Sequence, residues 1–469
     1  MKDRSSVEQG LSRGPRRRVV IIGGGFGGLY TARSLRQAPV QVTLIDRRNF
    51  HLFQPLLYQV ATGALSPANI AAPLRAILKR NRNTEVILGE VVDILPEKKS
   101  ILLRDGTAID YDWVIVATGS SHHYFGNDSW QILAPGLKTV EDATEIRGRI
   151  LMAFERAEKE PDPGRRRDLM TFVIVGGGPT GVEMAGAMAE IARDTLRGNF
   201  RRIDPADADI LVVEAADRIL GSYSPALSAK AQQALEELGV RVKTRALVKR
   251  IRPGAVDIEA DDRQETIPAG TVVWSAGVKA SRLGEILARR AGAPLDKAGR
   301  VIVEPDCTVP GHPEIFVIGD LAHFKGPDGA PLPGVAQVAM QQGKYAADAI
   351  IQSLRGRRLR PFHYRDYGTM AVIGRTRAVA MIAGLQLSGF LAWLTWLFIH
   401  LMYIVQFTNR LLVFVQWAYN YLTHNRSARL ITNVLSVRSQ EAEPRKESAA
   451  PPAAEGVEKR RRMRDLTRS

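Results

Sequence analysis

The chain has 469 residues, 45% of them apolar, which is enough for two or three domains with sizeable cores. A single cysteine, Cys307, excludes internal disulfides, a Cys-x-x-Cys redox pair and a cysteine-ligated metal site, and with eight scattered histidines we predict no metal site. The formal net charge of +16 predicts an anionic partner or surface, and charge alone does not choose between nucleic acid and lipid head groups.

The first element is a strand-like run that leads into a glycine-rich turn. Residues 18–22 are mostly β-branched, residues 23–28 read GGGFGG, and a helix-compatible sequence follows. Asp46 ends the next strand-like run, 42–46, and stands 23 residues after the first glycine. In a dinucleotide site the glycines turn the chain and bring a pyrophosphate to backbone N–H groups at a helix N-terminus, and the acid binds ribose hydroxyls. The pattern therefore predicts a dinucleotide site.

The following segments also suit contact with a cofactor. Residues 49–63 are too apolar for a surface linker and too irregular for one helix, so we expect them to wrap a cofactor. The strand-like run 113–116 ends in Ala-Thr-Gly at 117–119, and the run 271–274 ends in Ser-Ala-Gly at 275–277. Small residues at strand ends let backbone lie close to a nucleotide, although each such sequence alone is more often a simple turn.

A second copy of the first pattern begins 153 positions later. Residues 171–175 form a strand-like run, residues 176–181 read GGGPTG, and Glu214 ends the run 210–214. The distance from first glycine to acid is 38 residues, and the excess over the first copy fits a polar insertion at 193–209. An acid at this position favours NADH over NADPH, although Arg218 leaves that choice open. Two dinucleotide sites predict a protein that passes electrons between them.

A third strand-glycine-acid element precedes a predicted helix. Residues 315–318 lead into Gly319 and Asp320, whose carboxylate can accept from a ribityl or ribose hydroxyl. A helix is predicted to start near Val335 and to carry Gln337 and Gln341 on one face, four residues apart. If its N-terminus faces a flavin, the helix dipole would stabilise the anionic reduced ring. Both glutamines could equally be solvated helix residues.

The C-terminal region contains a long uncharged stretch. No formally charged residue occurs at 378–409, and residues 387–407 approach the ~20 apolar residues that span a bilayer. Arg410, Arg426, Arg429 and the basic run 459–462 mark the C-terminal side as cytoplasmic, while the N-terminal side carries domains that need cytoplasmic NADH. Since both ends require one compartment, we favour two helices lying in one leaflet over a membrane span.

Polarity within this region supports the same interpretation. Ser388, Thr395 and Gln406 are predicted to lie near one helical azimuth. The stretch after them is predicted to have an uneven polar face, and its Trp and Tyr residues suit a membrane interface. Residues 441–469, with a Pro-Pro pair and mixed charge, are predicted to be a disordered tail.

The order of these motifs resembles type II NADH dehydrogenases, the single-subunit NADH:quinone oxidoreductases that do not pump protons. The resemblance runs from about residue 16 to about residue 423 and rests on GGGFGG, FHLFQPLLYQVATG, ATG, GGGPTGVE, FVIGD and AQVAMQQG. It implies an α/β fold with two Rossmann-like dinucleotide-binding domains of the glutathione-reductase-like flavoprotein type, followed by membrane-anchoring helices. It also implies that the first glycine turn binds FAD and the second binds NADH.

The resemblance assigns functional residues position by position. It implies FAD contacts at Gly23, Gly25, Gly28, Asp46, Thr118, Gly119 and Asp320. It implies NADH contacts at Gly176, Gly178, Gly181, Glu214 and Gly277. It places Glu183, which we expect in the first turn of its helix, where nicotinamide, flavin and quinone meet, and it places Gln337 beside the quinone with Gln341 as a weaker candidate. For Glu183 the alternative is a role in complementing the helix dipole.

The expected domains follow from the same resemblance. They are a flexible N-terminus (1–15), an FAD-binding domain in two parts (16–135 and 278–365), an NADH-binding domain (136–277), a membrane-anchoring region (366–435) and a disordered tail (436–469). We expect hydride transfer from NADH to FAD and then two electrons to a membrane quinone, either ubiquinone or menaquinone.

The expected setting is the cytoplasmic face of the cell inner membrane, because residues 1–14 lack the apolar segment of a secretory signal. The expected partners are NADH, the quinone, the lipid bilayer and a second copy of the chain in a homodimer, with no nucleic acid. Two alternatives remain at this point: a basic flavoprotein with a nucleic-acid-binding or signalling role, and a soluble-acceptor NAD(P)H reductase. Disulfide and sulfide:quinone reductases need more cysteines than the chain contains.

Overall fold

The computed structural model describes residues 17–327, 329–423, 426 and 428–432. The flexible N-terminus predicted at 1–15 and the disordered tail predicted at 436–469 lie outside the described residues. The described chain contains two parallel sheets flanked by helices, several small antiparallel sheets and two C-terminal helices.

The N-terminal part of the chain builds most of the first parallel sheet. Its strands are β1 (Arg17–Ile22), β2 (Val40–Asp46), β3 (Phe50–Leu52), β4 (Ala71–Pro73), β5 (Thr84–Leu88), β6 (Val91–Leu95), β7 (Ser100–Leu103), β8 (Ala108–Asp110), β9 (Trp113–Val116) and β10 (Ser120–His122). Its helices are α1 (Phe26–Ser34), α2 (Leu57–Ala61), α3 (Pro67–Ile70), α4 (Leu74–Leu78) and α5 (Trp130–Leu133). The segment at 49–63 is irregular as predicted, since it combines a short strand with short helical turns.

The middle of the chain builds the second parallel sheet. Its helices are α6 (Val140–Lys159), α7 (Pro163–Leu169), α8 (Pro179–Glu190) and α9 (Pro225–Glu237). Its strands are β11 (Thr171–Val175), β12 (Asp209–Val213), β13 (Val240–Lys243), β14 (Ala246–Arg252), β15 (Ala255–Ala260), β16 (Arg263–Pro268) and β17 (Thr271–Trp274). The sheet order β13-β12-β11-β17 places the glycine turn after β11 at a central strand, and all three pairings are parallel.

The chain then returns to complete the first sheet. This part contains β18 (Val278–Ala280), α10 (Leu283–Ala291), β19 (Val301–Ile302), β20 (Thr308–Val309), β21 (His312–Val317), β22 (Ala322–His323) and α11 (Ala336–Ser353). The six-stranded order is β20-β21-β9-β1-β2-β5. The predicted runs 18–22, 42–46, 113–116 and 315–318 are confirmed as neighbouring parallel strands, so the ends that carry the glycines and acids share one sheet edge.

The C-terminal region begins with an antiparallel sheet. Its elements are β23 (Thr369–Val372), β24 (Ala378–Ile382), β25 (Leu385–Gly389), α12 (Phe390–Tyr403) and α13 (Phe407–Thr423). The two predicted helices are confirmed, but the uncharged stretch also includes β24 and β25. None of the helices within the described ranges has the length and hydropathy that a membrane span requires.

Two predictions about this region were wrong. Ser388 lies in β25 and Gln406 lies between the helices, so they share no helical azimuth with Thr395. Arg426 is not a flanking surface cation, because it is buried and forms an ion pair of 2.5 Å with Glu190 at the end of α8. The sequence prediction treated residues 388–406 as one helix, whereas the structure divides them between a strand, a helix and a turn.

The last helix, α13, docks on the segment 49–70 by hydrogen bonds from its side chains. Asn409 Nδ2 donates to the Ala68 carbonyl at 3.2 Å, and Asn420 Nδ2 donates to the Ala64 carbonyl at 3.1 Å. Trp417 Nε1 donates to Gln59 Oε1 at 2.7 Å. One hydrophobic core joins α2, α6 and α8 to buried residues of α12 and α13. The C-terminal region is therefore integral to the fold.

The outward faces of α12 and α13 are apolar and exposed. On α12 these residues are Phe390, Leu391, Leu394, Phe398 and Met402, and on α13 they are Leu411, Leu412, Phe414, Val415 and Tyr419. About half or more of each of these side chains is accessible, which forms a contiguous patch of the kind that marks an interaction surface. We call these ten residues the apolar face.

The closest helix packing in the first domain depends on Gly343. A methyl group there would lie 2.4 Å from the Gly27 carbonyl oxygen and 2.9 Å from Thr31 Oγ1. Gly343→Ala should therefore lower the free energy of unfolding by about 1–3 kcal/mol and reduce the bound flavin. Gly148→Ala in α6 is the matched control, because no atom lies within 4 Å of its added methyl, and it should stabilise by up to about 1 kcal/mol. Urea denaturation measures both; equal effects would contradict the packing argument.

Candidate functional site

The first glycine turn leaves the N-terminus of α1 open. Gly23 has φ of +106°, and a methyl group there would lie 2.4 Å from the Ala117 carbonyl oxygen. A methyl group on Gly28 would lie 1.8 Å from the Gly23 carbonyl oxygen, whereas one on Gly25 would meet no atom within 4 Å. No side chain caps the helix. The turn therefore presents backbone N–H groups to open space, as an anionic pyrophosphate requires.

Asp46 lies at the end of β2 beside this turn. Its Oδ2 accepts from the Gly24 N–H at 2.6 Å and its Oδ1 accepts from the Arg48 N–H at 2.7 Å. Nearby at the end of β9, Gly119 has φ of +67° and open space at its Cα, and Thr118 Oγ1 is buried without a hydrogen-bond partner. The shared sheet edge thus collects an acid, open backbone and an unpaired hydroxyl.

Asp320 belongs to a polar cluster that the sequence did not reveal. Ser120 Oγ donates to Asp320 Oδ2 at 2.8 Å, and Lys138 Nζ donates to Ser120 Oγ at 2.9 Å. Burial lowers the pKa of Lys138, and the charges of Asp320 and Asp142 oppose that shift. Neither Ser120 nor Lys138 carries a local motif, because they meet Asp320 only through the crossing of distant segments.

The second glycine turn repeats the first in detail. Gly176 has φ of +104°, and a methyl group on Gly181 would lie 1.9 Å from the Gly176 carbonyl oxygen. Gly178 has no atom within 4 Å of an added methyl, and no side chain caps α8. Glu214 Oε2 accepts from the Gly177 N–H at 2.6 Å, the same distance as in the first turn. The fold therefore builds two equivalent uncapped helix N-termini, each with the geometry that suits an anion.

Gly277 lies at the end of the strand next to this second turn. It has φ of +72°, and a methyl group there would lie 2.6 Å from the ring of Phe125. Arg218 Nη2 donates to the Gly221 carbonyl at 3.1 Å. The guanidinium is thus engaged with the backbone near the Glu214 strand end.

Glu183 lies on α8 and is partly buried. It is the fifth residue of the helix and not in the first turn, so the dipole interpretation loses its geometric basis. Burial raises the pKa of Glu183 to about 8, and a long contact of 3.5 Å from the Val372 N–H opposes the shift. This raised pKa favours the protonated carboxyl group at neutral pH.

Two tyrosines that the sequence did not indicate stand near Glu183. Burial raises the pKa of Tyr58 and that of Tyr223, and the negative charge of Glu183 adds to both shifts. Tyr58 OH accepts from Gln59 Nε2 at 3.0 Å, while Tyr223 OH pairs with Thr369 Oγ1 at 3.0 Å. The Glu183 carboxyl group is therefore close enough to tyrosines of two domains to influence their pKa values.

The two candidate glutamines face the segment that leads into β23. Gln337 Nε2 donates to the Gly368 carbonyl at 2.6 Å, and its Oε1 accepts from the Tyr367 N–H at 3.2 Å. Gln341 makes the equivalent pair of bonds with Arg365, at 2.8 and 3.0 Å. The predicted helix start is confirmed, since Val335 precedes the first residue of α11.

Strand β23 brings these candidates together. Gly368, which binds Gln337, precedes it; Thr369, its first residue, binds Tyr223; and Val372, its last residue, contacts Glu183. Gln342, which the sequence did not single out, accepts from the Gly319 N–H at 2.7 Å and fixes α11 to the first sheet. Gln337, Gln341 and Gln342 lie within six residues, and the sequence does not indicate which glutamine contacts which partner.

Comparison with known proteins agrees with this architecture. The family model described as pyridine nucleotide-disulphide oxidoreductase matches residues 17–343, and the one described as NDH2 C-terminal domain matches residues 367–425. The chain is 45% identical over 429 residues to Type II NADH:quinone oxidoreductase NdhA of Mycobacterium tuberculosis, with 90% of both chains covered. The chain belongs to the type II NADH:quinone oxidoreductase family. It is an NADH:quinone oxidoreductase that uses FAD and NADH.

Further relatives and solved structures support this family. A second Mycobacterium tuberculosis relative, Ndh, is 45% identical over 437 residues, covering 92% of this chain and 93% of its own. The structure of NDH2 from Plasmodium falciparum in complex with NADH has a TM-score of 0.81 at 18% identity, covering 88% of this chain and 99% of that one. The expected two-domain flavoprotein fold is confirmed, and neither the nucleic-acid-binding nor the soluble-acceptor alternative is favoured.

The residues at the first glycine turn fit FAD. The open space at Gly25 and the uncapped α1 suit its pyrophosphate, and Asp46 suits ribose hydroxyls. Two buried polar atoms nearby, Thr118 Oγ1 and His51 Nε2, have no hydrogen-bond partner, although His51 Nδ1 donates to the Gly24 carbonyl at 3.0 Å. Such orphaned atoms are expected where a polar ligand completes the bonding.

The two open glycines provide a paired test of the two sites. Gly25→Ala should fold normally yet lose most flavin, because its methyl fills only the pyrophosphate space. Gly178→Ala should keep flavin and raise the KM for NADH by roughly tenfold or more. Flavin absorbance and steady-state kinetics measure the two effects, and each variant is the control for the other. Loss of flavin in Gly178→Ala would contradict the assignment of the second turn to NADH.

Proposed function

We propose that NADH and quinone react in turn at one flavin pocket enclosed by α8, α11 and β23, with Glu183 as the proton donor to the quinone. An FAD held at the first glycine turn would supply the redox chemistry that joins hydride transfer from NADH to two-electron, two-proton reduction of the quinone. The main support for this proposal comes from β23. Val372 in this strand contacts Glu183, and Gly368, immediately before the strand, accepts a hydrogen bond from Gln337. The proposal assigns the FAD and NADH contacts to the two glycine turns and their acids.

In this proposal, different residues bind NADH, donate a proton and position the pocket wall. The second glycine turn and Glu214 hold and orient NADH, so the first half-reaction needs no side-chain acid or base. Glu183, whose raised pKa favours the protonated form at neutral pH, can release a proton to a reduced quinone oxygen. Gln337 holds the segment that leads into β23 and thereby positions the wall of the pocket. Gln341 supports the same segment.

We further propose that the apolar face attaches the protein to the cytoplasmic leaflet of the inner membrane. A quinone with a long isoprenoid tail resides in the bilayer, and the helices that carry the apolar face also pack on the core around α8. The strongly basic chain favours an anionic lipid surface. The resemblance also implies a homodimer built with the C-terminal helices, so a second copy is the competing occupant of part of this face.

Glu183→Gln tests the proton donor. Quinone turnover at neutral pH should fall by roughly tenfold or more, while flavin content and NADH:ferricyanide activity stay near wild type. Wild-type quinone turnover should decline as pH rises through about 8, where Glu183 loses its proton, and the variant should lack this inflection. Exposed Glu285→Gln is the matched control. Unchanged turnover across the pH range would contradict a proton-donor role.

The same variant has a stability readout. The folded pKa of about 8 lies above the ordinary value of 4.5, so folding favours the protonated carboxyl group. Its contribution to stability is complete below pH 4.5 and is lost as pH rises towards 8. The Tm of wild type should therefore fall relative to that of Glu183→Gln across this window. A constant difference between the two would show that the carboxyl group is not buried in the folded protein.

Charges on the apolar face test the membrane attachment. The double variant Leu394→Glu/Phe398→Glu should no longer float with lipid vesicles, because charges on this face are expelled from the acyl region, yet it should keep NADH:ferricyanide activity. The control adds two exposed charges elsewhere, Gln131→Glu/Gln264→Glu, and should float as wild type does. Release of wild type by high salt without detergent would contradict the attachment, and a change only in oligomer size would assign the face to a second copy.

A further inference from the structure

A chain of two hydrogen bonds connects the last helix to a buried tyrosine. Trp417 Nε1 on α13 donates to Gln59 Oε1 at 2.7 Å, and Gln59 Nε2 donates to Tyr58 OH at 3.0 Å. Gln59 and Tyr58 both lie in α2, where they are 9% and 5% exposed. The chain therefore runs from a helix that carries part of the apolar face to a hydroxyl group in the protein interior.

The indole group of Trp417 fixes the direction of both bonds. An indole N–H can only donate, so it must face the oxygen of the Gln59 amide, and the amide NH₂ group is left to face Tyr58. Because that NH₂ group is also only a donor, the Tyr58 oxygen accepts from it and the Tyr58 hydrogen must point elsewhere. Within the described part of the chain, the Tyr58 hydroxyl makes no second hydrogen bond. A buried O–H without an acceptor is unfavourable, so this group suits a ligand that supplies one.

Tyr58 keeps this hydrogen over the whole assay range. Burial is the main cause that raises the pKa of Tyr58 well above its ordinary value, and the negative charges of Glu183 and Glu190 add to the shift. The hydrogen bond from Gln59 and the charge of Arg426 oppose it. The hydroxyl is therefore a neutral donor at every pH at which turnover would be measured.

Tyr58 lies beside α8, the helix of Glu183. Buried residues of α2 and α8 share one hydrophobic core. Arg426 joins the ends of the two helices, because its Nη1 donates to the Thr62 carbonyl at 3.2 Å and its Nη2 donates to Glu190 at 2.5 Å. Thr62 directly follows α2, and Glu190 ends α8. Tyr58 and Glu183 therefore lie on neighbouring helices that are held together at one end.

The two neighbours do not bond to each other. No hydrogen bond joins Tyr58 and Glu183 in the described structure, and the carboxyl group receives only the long contact from the Val372 N–H. The other nearby hydroxyl, that of Tyr223, is already paired with Thr369. Because its raised pKa favours the protonated form, Glu183 also has a hydrogen to donate. Two neighbouring donors suit an acceptor with two lone pairs, and a quinone carbonyl oxygen is such an acceptor.

We propose that Tyr58 donates a hydrogen bond to the quinone oxygen beside Glu183. Trp417 and Gln59 then act as positioning residues that aim the hydroxyl group. This inference rests on the proposed proton-donor role of Glu183. Without the indole N–H the Gln59 amide can turn, so that its oxygen accepts the Tyr58 hydrogen and withdraws it from the quinone. Quinone affinity is therefore linked to the docking of α13.

Tyr58→Phe removes the hydroxyl group and keeps the ring. In the flavin-loaded protein it should raise the KM for short-chain quinones, measured with a ubiquinone and a menaquinone, by roughly three- to tenfold, the loss expected of one uncharged hydrogen bond. The KM for NADH, the NADH:ferricyanide activity and the flavin content should stay at wild-type values. Tyr111→Phe is the matched control and should change none of these values, since its buried hydroxyl in the first domain has no hydrogen-bond partner among the described residues.

Trp417→Phe tests the positioning role. It should raise the quinone KM by roughly two- to fivefold in the wild-type background. It should cause no further rise in the Tyr58→Phe background, because the indole acts only through that hydroxyl group. A purely structural effect of Trp417 would instead add to that of Tyr58→Phe. If Trp417→Phe does not fold, Gln59→Met replaces it and should show the same dependence on Tyr58.

The outcomes separate this inference from the proposed proton donor. Lower turnover in Glu183→Gln with an unchanged quinone KM in Tyr58→Phe would overturn the hydrogen bond and leave the donor in place. A raised quinone KM in Tyr58→Phe with unchanged turnover in Glu183→Gln would refute the donor and support the quinone contact. Additive effects of Trp417→Phe and Tyr58→Phe would overturn the positioning role. A shift of the pH inflection near 8 in Tyr58→Phe, with no change in quinone KM, would assign the hydroxyl to Glu183 and overturn the quinone contact.

Discussion

Close approach of backbone to backbone at two glycine turns is the constraint on which the rest of the structure depends. Gly28 lies against the Gly23 carbonyl and Gly181 against the Gly176 carbonyl so tightly that an added methyl would stand within 2 Å of oxygen in both places. In each turn the next glycine N–H is held by an acid from the neighbouring strand at 2.6 Å. If the two turns hold FAD and NADH as we propose, main-chain geometry would fix where the two anionic cofactors lie relative to each other.

The environment of Glu183 depends on β23, a part of the chain that follows both nucleotide-binding domains. Its helix comes from the second domain, but Val372 of β23 contacts its carboxyl group and Thr369 of the same strand holds Tyr223. Without β23 the carboxyl group would be open to water and its pKa would return towards 4.5. Because α12 and α13 share a core with α8, the same region that we propose to meet lipid also sets the protonation of the proposed donor.

Local patterns predicted the nucleotide domains well and the site between them poorly. The strands at Thr171–Val175 and Trp113–Val116 match the predicted runs, since β-branched residues and a following glycine determine both ends locally. Lys138, Tyr58 and Tyr223 were missed because Asp320, Glu183 and Thr369, respectively, lie more than a hundred residues away, and no sequence spacing indicates such contacts. The role of Arg426 was mispredicted for the same reason, because the sequence alone does not show that Arg426 pairs with the distant Glu190.

The division of α13 into two faces explains why a short helix suits attachment better than crossing. Asn409, Trp417 and Asn420 all hydrogen-bond to residues 59–68, so one side of α13 packs against the rest of the protein along its length. A helix held in this way cannot be surrounded by lipid, yet its other side exposes Leu411, Leu412 and Val415 to whatever lies outside. An environment that is apolar on one side satisfies both faces, and the single leaflet that we propose is such an environment. On that proposal, the segment 49–63 beneath α13 would lie between lipid and flavin, where a bilayer-dissolved quinone would enter.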